Sequence, residues 1–470
     1  MLQLKKYTIA ALVLFCSGLI GCDKWDEHNE LKNQALGKSV MDEISARADL
    51  SKLKEYLVKT GLDKELSSSK TYTVWAPANG MLETLEPAIV SDTAKLKAVL
   101  LNHIAKLNHY TGTGTQRIQL LNGKWVDLTA NKFDEATITT PNFTTANGVL
   151  HVIDKVVKPL PSLWQFINST TATFKQNAYI VATNFKVRDF ANAVIDSIGQ
   201  LTGMPVYKPG TDSAIRNRYL TTIYDAADES KMFTYFVVRD DNFQKEADLQ
   251  KPFFKTSRAD STDTLSRYQV IRDLTFEGLY TREQLPSVLT SKFGVSVPIN
   301  KNDIVETIRL SNGVAYVMSK LEVPAINRLT PFIVQGEDPW GFQTDKRGNI
   351  NYRKQVNPTT SEFFNDMQIS GHNVANYWVW YRIPNVPSAK YKVYWVAVNN
   401  GTAAFQQRLA MGTVTAPLTA LPYVNVPVNN YNEVLLGEYT VPAYGTLNVY
   451  FTASGTANMA LDYFKLVPTN

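Results

Sequence analysis

The chain has 470 residues, 44% of them apolar and 19% charged, with a formal charge of +5 at neutral pH. That length supports two or three separate cores, and the composition excludes both a disordered polymer and a membrane-embedded bundle. So small a charge leaves no electrostatic footprint for nucleic acid, and two cysteines with five histidines leave few ligands for a metal site or for thiolate chemistry.

At the amino terminus, Lys5 and Lys6 precede an apolar run from Tyr7 to Ser17, shorter than the roughly 20 residues that a spanning helix needs. The segment closes on Leu19-Ile20-Gly21-Cys22. This ending resembles the lipobox of bacterial lipoproteins. The resemblance implies that residues 1–21 are a signal peptide and that Cys22 is acylated, giving the chain a membrane as partner through its lipid anchor, at about 0.8 kcal/mol per buried CH₂. Cys16 leaves with the signal, so the mature chain would carry no disulfide. Residues 22–38 then form a tether. Its cluster Asp23-Lys24-Trp25-Asp26-Glu27 is either a solvated linker or, by its resemblance to the acidic export signal of Bacteroidetes surface lipoproteins, an address for the outer face of the outer membrane.

From Val40 to Leu66, apolar residues at Ile44, Leu50, Leu53, Leu57 and Leu62 predict helices, with Gly61 as a stop. Thr71-Tyr-Thr-Val-Trp-Ala-Pro-Ala-Asn79 predicts a strand ended by proline, Leu96 to Ile104 a helix, and Asn147-Gly-Val-Leu-His-Val-Ile-Asp154 a turn followed by a strand. In order and spacing the three motifs resemble the fasciclin-like domain, with Trp75 at the family's phenylalanine and His103 and His151 on its two characteristic histidines. The resemblance implies an α+β domain over 39–160 and a part in adhesion or matrix contact. The histidines read as packing and hydrogen-bonding groups rather than as ligands.

A divergent second copy is predicted over 161–326. Phe233 to Phe243 stands where the first motif should be, and Asn312-Gly-Val-Ala-Tyr-Val-Met318 repeats the last. The middle motif, Ile271 to Tyr280, lacks its histidine, and Tyr316 takes the place of His151. The polar stretches Lys208 to Arg218 and Lys255 to Ser266 predict surface insertions, and the proline-bearing joints at Pro159 to Leu163 and Pro324 to Pro331 predict exposed backbone.

Beyond Pro331 short alternating runs are cut by Pro, Gly and Asn, with no long helical pattern, so residues 332–470 predict an all-β sandwich. The run from Trp378 to Val393 and the closing Leu461-Asp-Tyr-Phe-Lys-Leu-Val-Pro468 resemble jelly-roll carbohydrate-binding modules. That resemblance implies polysaccharide as a partner. Trp340, Trp378, Trp380 and Asp462 are the candidate glycan contacts, because pyranose C–H faces pack on aromatic rings while carboxylates take hydroxyls. Trp378 and Trp380 share one face of a strand. Whether that face is a binding platform or the core, and whether Asp462 touches a ligand or only caps a strand, stays open at this level.

The chain has no phosphate-cradling glycine loop, nucleophile elbow or His-Glu-x-x-His zinc motif, and no metal, cofactor or catalytic residue is expected. The reading is thus a multidomain surface lipoprotein, two α+β fasciclin-like domains and a jelly-roll-like sandwich, for adhesion or glycan binding beside an outer-membrane glycan-uptake complex. The alternative is a structural subunit packed on an outer-membrane transporter without binding sugar. A glycoside hydrolase comes third, since paired carboxylates can be supplied by distant strands.

Overall fold

The computed structural model describes residues 37–412 and 419–469. The signal peptide, Cys22 and the tether up to residue 36 lie outside the described residues. The chain divides into two compact units, one running to Ser162 and including Asp228–Ser230, the other formed by Leu163–Ala227 and everything from Lys231 onward.

In the first unit the helix Val40–Ala46 begins at a capping box in which Ser39 and Asp42 satisfy each other's backbone N–H groups. The helix Ser51–Thr60 ends at Gly61, whose left-handed φ of 73° lets its N–H return to the last turn. The strands β1 (Tyr72–Pro77), β2 (Ile104–Lys106), β3 (Gln116–Gln119), β4 (Trp125–Leu128), β5 (Lys132–Phe133), β6 (Ala136–Thr145) and β7 (Gly148–Ile153) form one sheet in the order β2-β1-β7-β6-β5-β4-β3. A bridge from Ala105 to Leu120 joins its two ends. At its centre β1 and β7 run parallel and are buried at every position, which explains their continuous apolar character. Helices cover one side of this pair, and Trp75, Phe133 and Ile153 fill the other.

The second unit repeats the central device. After β8 (Asn184–Arg188), β9 (Ile195–Ile198), β10 (Pro205–Tyr207) and β11 (Ser213–Asn217) come β12 (Phe233–Val238), β13 (Thr275–Glu277), β14 (Val288–Thr290), β15 (Ser296–Pro298), β16 (Ile304–Leu310) and β17 (Gly313–Met318). Strands β12 and β17 are parallel, and β13-β12-β17-β16 make a four-stranded sheet. Phe236 faces Tyr316 in the register where Trp75 faces His151. The insertion is longer than the polar stretch suggested: β8 pairs β11 and β9 pairs β10, so residues 184–217 form two successive ribbons of one hairpin.

Two expectations need correction here. Lys255 to Ser266 lies at the surface but is not a loop insertion, because most of it belongs to the helix Ala259–Ile271, whose Ser266 is fully buried, and Phe254 just before it sits in the core of the sandwich. The joint after Pro324 is exposed only in part: Pro324, Thr330 and Pro331 are open to solvent, but its middle is buried. Arg328 is 2% exposed, its guanidinium pairs with Glu246 at 3.0 Å and Asp273 at 3.5 Å, and Leu329 enters the sandwich core. Removing one partner of such a buried pair leaves an uncompensated charge, so this joint is locked rather than hinged.

The sandwich comprises β18 (Phe332–Gln335), β19 (Gly341–Phe342), β20 (Ile350–Val356), β21 (Phe363–Ile369), β22 (Trp378–Val386), β23 (Lys390–Val396), β24 (Phe405–Gly412), β25 (Thr419–Ala420), β26 (Val424–Val426), β27 (Val434–Thr440), β28 (Gly445–Ala453), β29 (Met459–Leu461) and β30 (Tyr463–Thr469). One sheet has the order β18-β30-β23-β27, a second β19-β22-β28-β24-β25 with β26 on β24, and a third β20-β21-β29. Alternate residues of these strands meet in one core around Tyr381, Tyr391, Trp395, Phe451 and Phe464. The fold class is therefore mixed α and β in the first part and all-β in the last.

Candidate functional site

Strand β22 separates two sets of aromatic residues. Val379, Tyr381 and Ile383 point into the sandwich core and are at most 5% exposed, whereas Trp378 and Trp380 are half-buried on the outer face and Arg382 is exposed there. The period of two in a pleated strand produces this split, and the core on one side fixes which set faces out.

Antiparallel pairing then lays three strands into a grid. Trp378 pairs Thr452, which pairs Arg408; Trp380 pairs Tyr450, which pairs Ala410; Arg382 pairs Asn448, which pairs Gly412. The Tyr450 ring lies edge-on to Trp378 at 5.2 Å and parallel to Trp380 at 6.3 Å, and the Trp380 indole N–H donates to Asn448 Oδ1 at 3.1 Å. Trp340 reaches the same face from the residue before β19. It stands 61% exposed, edge-on to Trp380 at 6.2 Å, with the Arg382 guanidinium 5.1 Å above its ring. At the opposite corner Arg408 stacks over Tyr423 at 4.4 Å.

Two polar groups on this face lack partners. Tyr450 is only 6% exposed, yet its hydroxyl has no hydrogen bond, and neither does the buried Nε of Arg408. Burial raises the Tyr450 phenol above its usual range, so it keeps its proton and remains a donor.

Asp462, at the junction of β29 and β30, lies apart from the tryptophans. It lines a cavity of about 470 Å³ together with Glu337, Glu362, Phe363, Tyr431 and Tyr463. Burial first, then the charges of Glu337 and Asp366, push its carboxyl up to about 7. Asp366 is tied to Arg353 and Gln355, and one oxygen of Glu337 is buried without a partner. Near neutral pH this corner holds or releases a proton. Among the described residues no three His, Cys, Asp or Glu side chains come together as a metal-holding group.

Of the four residues singled out from sequence, the fold therefore unites Trp340, Trp378 and Trp380 and leaves Asp462 elsewhere. Tyr450, Tyr423, Arg382 and Arg408 complete the aromatic face. Arg382 follows Trp380 by two residues on the same strand and shares its face, whereas Tyr450, Tyr423 and Arg408 come from other segments, whose placement beside β22 is set by pairing between distant parts of the chain.

The family model described as Fasciclin domain matches residues 48–159. No curated protein sequence matches the chain. Among solved structures, a domain pair from the insect cell adhesion molecule fasciclin I is similar over 60% of this chain and 98% of its own, at 16% identity and a TM-score of 0.22. A family 35 carbohydrate-binding module from Clostridium thermocellum is similar over 30% of this chain and 99% of its own, at 17% identity and a TM-score of 0.21. A Podospora anserina mannanase carrying such a module is similar over 30% of this chain at 12% identity and a TM-score of 0.23, and this chain spans 28% of that enzyme. Among the described residues no helix is long and apolar enough to cross a membrane, and the fasciclin domain is shown for residues 48–159.

Proposed function

We propose that this chain is a surface lipoprotein, anchored to the outer membrane through Cys22, whose terminal sandwich binds polysaccharide on the face of Trp340, Trp378, Trp380 and Tyr450. The observation that carries the reading is the direction of β22: its aliphatic and tyrosine residues fill the core, so its tryptophans are not needed there. Adjoining rings in an outward row give a sugar chain flat apolar contact, and the exposed Arg382 beside them gives it a polar one. Adhesion follows from holding such a face at a cell surface, and service to a glycan-uptake complex is one use of it. The proposed act is capture, with no bond made or broken.

Glycan-array binding of the mature full-length chain, followed by calorimetry, tests this. Trp340→Ala should weaken binding by roughly 1–3 kcal/mol with little change in melting temperature, because the ring is exposed. A wild type that binds nothing on a broad array overturns the reading.

The rival, a subunit packed on an outer-membrane transporter, has support of its own in the hairpin of residues 184–217. Phe190, Ile195, Ile198, Leu201, Met204 and Ile215 are all more than half exposed there, and a concentration of exposed apolar side chains on one element marks contact sites. Co-purification of the transporter with the wild type but not with an Ile198→Ser/Leu201→Ser/Met204→Ser variant would favour it.

A further inference from the structure

Two cations frame the aromatic face. Arg382 and Arg408 occupy opposite corners of the grid, four residues apart along β28 and one strand to either side of it. At about 3.4 Å per residue and 4.8 Å per strand, their backbones lie roughly 16 Å apart, with Trp380 and Tyr450 between them. Each guanidinium lies over an exposed or half-exposed ring, Arg382 5.1 Å from the centre of Trp340 and Arg408 4.4 Å from that of Tyr423. Stacking of this kind orients the planar fork while leaving its edge N–H groups free.

Among the described residues neither arginine has a carboxylate within ion-pair distance, and Arg408 Nε is buried without any partner. Elsewhere in the sandwich the chain pairs its arginines, Arg347 with Asp345 and Arg353 with Asp366. Of the acidic side chains in the sandwich, Glu337, Glu362 and Asp462 line the cavity described above, Asp345 and Asp366 pair with other arginines, and Glu433 and Glu438 pair with lysines. Charge on the face is thus of one sign, pre-oriented and unneutralised.

We propose that the polysaccharide taken by this face is anionic, carrying carboxylate or sulfate groups that Arg382 and Arg408 bind at two separated points while the rings between hold the intervening sugars. This rests on the glycan-binding reading above and names its substrate class. A guanidinium offers paired N–H donors that match carboxylate or sulfate oxygens, and Tyr450 lies diagonally between the two arginines in the strand register.

The test uses the mature full-length chain with polymers that differ only in charge. Polygalacturonate is compared with its fully methyl-esterified form, and dextran sulfate with dextran, on a panel that also holds neutral xylan, mannan and glucan. The expected result is at least tenfold tighter binding of one anionic member than of its neutral twin, weakening as salt rises. The pair that responds separates carboxylate from sulfate. Arg382→Ala and Arg408→Ala should each lose about tenfold on the anionic polymer. Arg408→Lys should recover part of that loss, and Lys354→Ala, an exposed cation off the grid, should change nothing. Equal loss with Lys354→Ala would reveal unspecific attraction and overturn the proposal. Tight binding of a neutral polymer, unaffected by either arginine, overturns it as well while leaving glycan binding in place. Failure to bind any member removes both.

Discussion

In the first repeat Trp75 stacks on His151 at 5.7 Å; in the second, Phe236 stacks on Tyr316 at 5.6 Å, in the same register of the same parallel strand pair. His151 donates from Nε2 to the carbonyl of His109, and Tyr316 donates from its hydroxyl to the carbonyl of Tyr280. His103, whose carbonyl receives the Trp75 N–H, has Leu274 as its counterpart, whose carbonyl receives the Phe236 N–H. The backbone devices do not change. Asn147 and Asn312 each accept an N–H at the start of a helix through their side chains, and Thr73 and Thr234 each bridge to the loop after the neighbouring strand. The histidines are thus one of two ways to fill and satisfy the same space, which makes them structural and leaves the sandwich as the place to look for a ligand.

The largest expected effects test the shared skeleton. A Cβ on Gly148 would lie 1.9 Å from the carbonyl oxygen of Tyr72, and one on Gly313 1.9 Å from that of Phe233. Gly148→Ala and Gly313→Ala should therefore each cost about 4 kcal/mol or more. Hydrogen exchange should show protection lost in β1 for one variant and in β12 for the other. A tolerated alanine in either would break the equivalence of the two repeats.

Acid should separate them next. His103 is fully buried, donates from Nδ1 to the Val99 carbonyl and accepts the Val157 N–H at Nε2, and burial lowers its pKa to about 4. The unfolded chain takes up that proton near pH 6.5 and the folded one only near 4. Stability is therefore whole above 6.5 and falls as pH drops through this window, by about 3 kcal/mol at 1.36 kcal/mol per pKa unit. Leu274 and Tyr316 give the second repeat no such loss, so β1 should lose exchange protection before β12 as the solution is acidified. His103→Leu should cost about 1–3 kcal/mol at neutral pH, by leaving the Val157 N–H unpaired while the Val99 carbonyl keeps only the Asn102 N–H, and should flatten the acid slope. A variant with the slope intact would move the acid response elsewhere.

A smaller effect comes from exchanging the ring pairs. Tyr at position 151 needs the room that Phe gives at position 236 in the second repeat, so Trp75→Phe with His151→Tyr should be less destabilising than the sum of the single changes. A coupling of about 0.5–3 kcal/mol is expected for residues in contact, measured by a double-mutant cycle in urea. Simple additivity would mean that the two pairs are not alternatives for one site.

Much of this comparison could be drawn from sequence because the repeated Asn-Gly-Val motif marks a backbone requirement that only a few residues satisfy, and because strand period puts Trp378 with Trp380. Sequence failed where sides had to be chosen. In Trp378-Val-Trp-Tyr381 both faces are apolar or aromatic, and the first charged residue, Arg382, comes too late in the run to settle the matter alone. It failed again within the joint of Pro324 to Pro331, where the prolines suggested exposed backbone and Arg328 is buried. Its partners Glu246 and Asp273 lie far back in the chain on other elements, and only their convergence makes burial possible. The hairpin of residues 184–217 was recognised by its polar end alone, since its apolar residues do not pack inward and follow no core-forming period.

The smallest difference between the repeats is a single backbone angle. Leu107 has φ of 67°, and its counterpart Gly278 has φ of 105°; each offers its carbonyl to the equivalent threonine hydroxyl, Thr73 or Thr234, at 2.8 Å. A left-handed conformation costs an L-residue roughly 1–2 kcal/mol, while glycine gives back about 0.5–1 kcal/mol through the freedom of its unfolded chain. Leu107→Gly should therefore raise stability by about 0.5–1 kcal/mol, and Gly278→Leu should lower it by more, because its φ lies further from the left-handed basin. Crowding would add little to the second change, since the nearest atoms to a Cβ at Gly278 are those of the Tyr280 ring at 3.6 Å. Thermal melts of both variants read the sign directly. A loss with Leu107→Gly would mean that the first repeat bears the strain to keep a leucine side chain, 67% exposed, beside Lys106, His109 and Trp125.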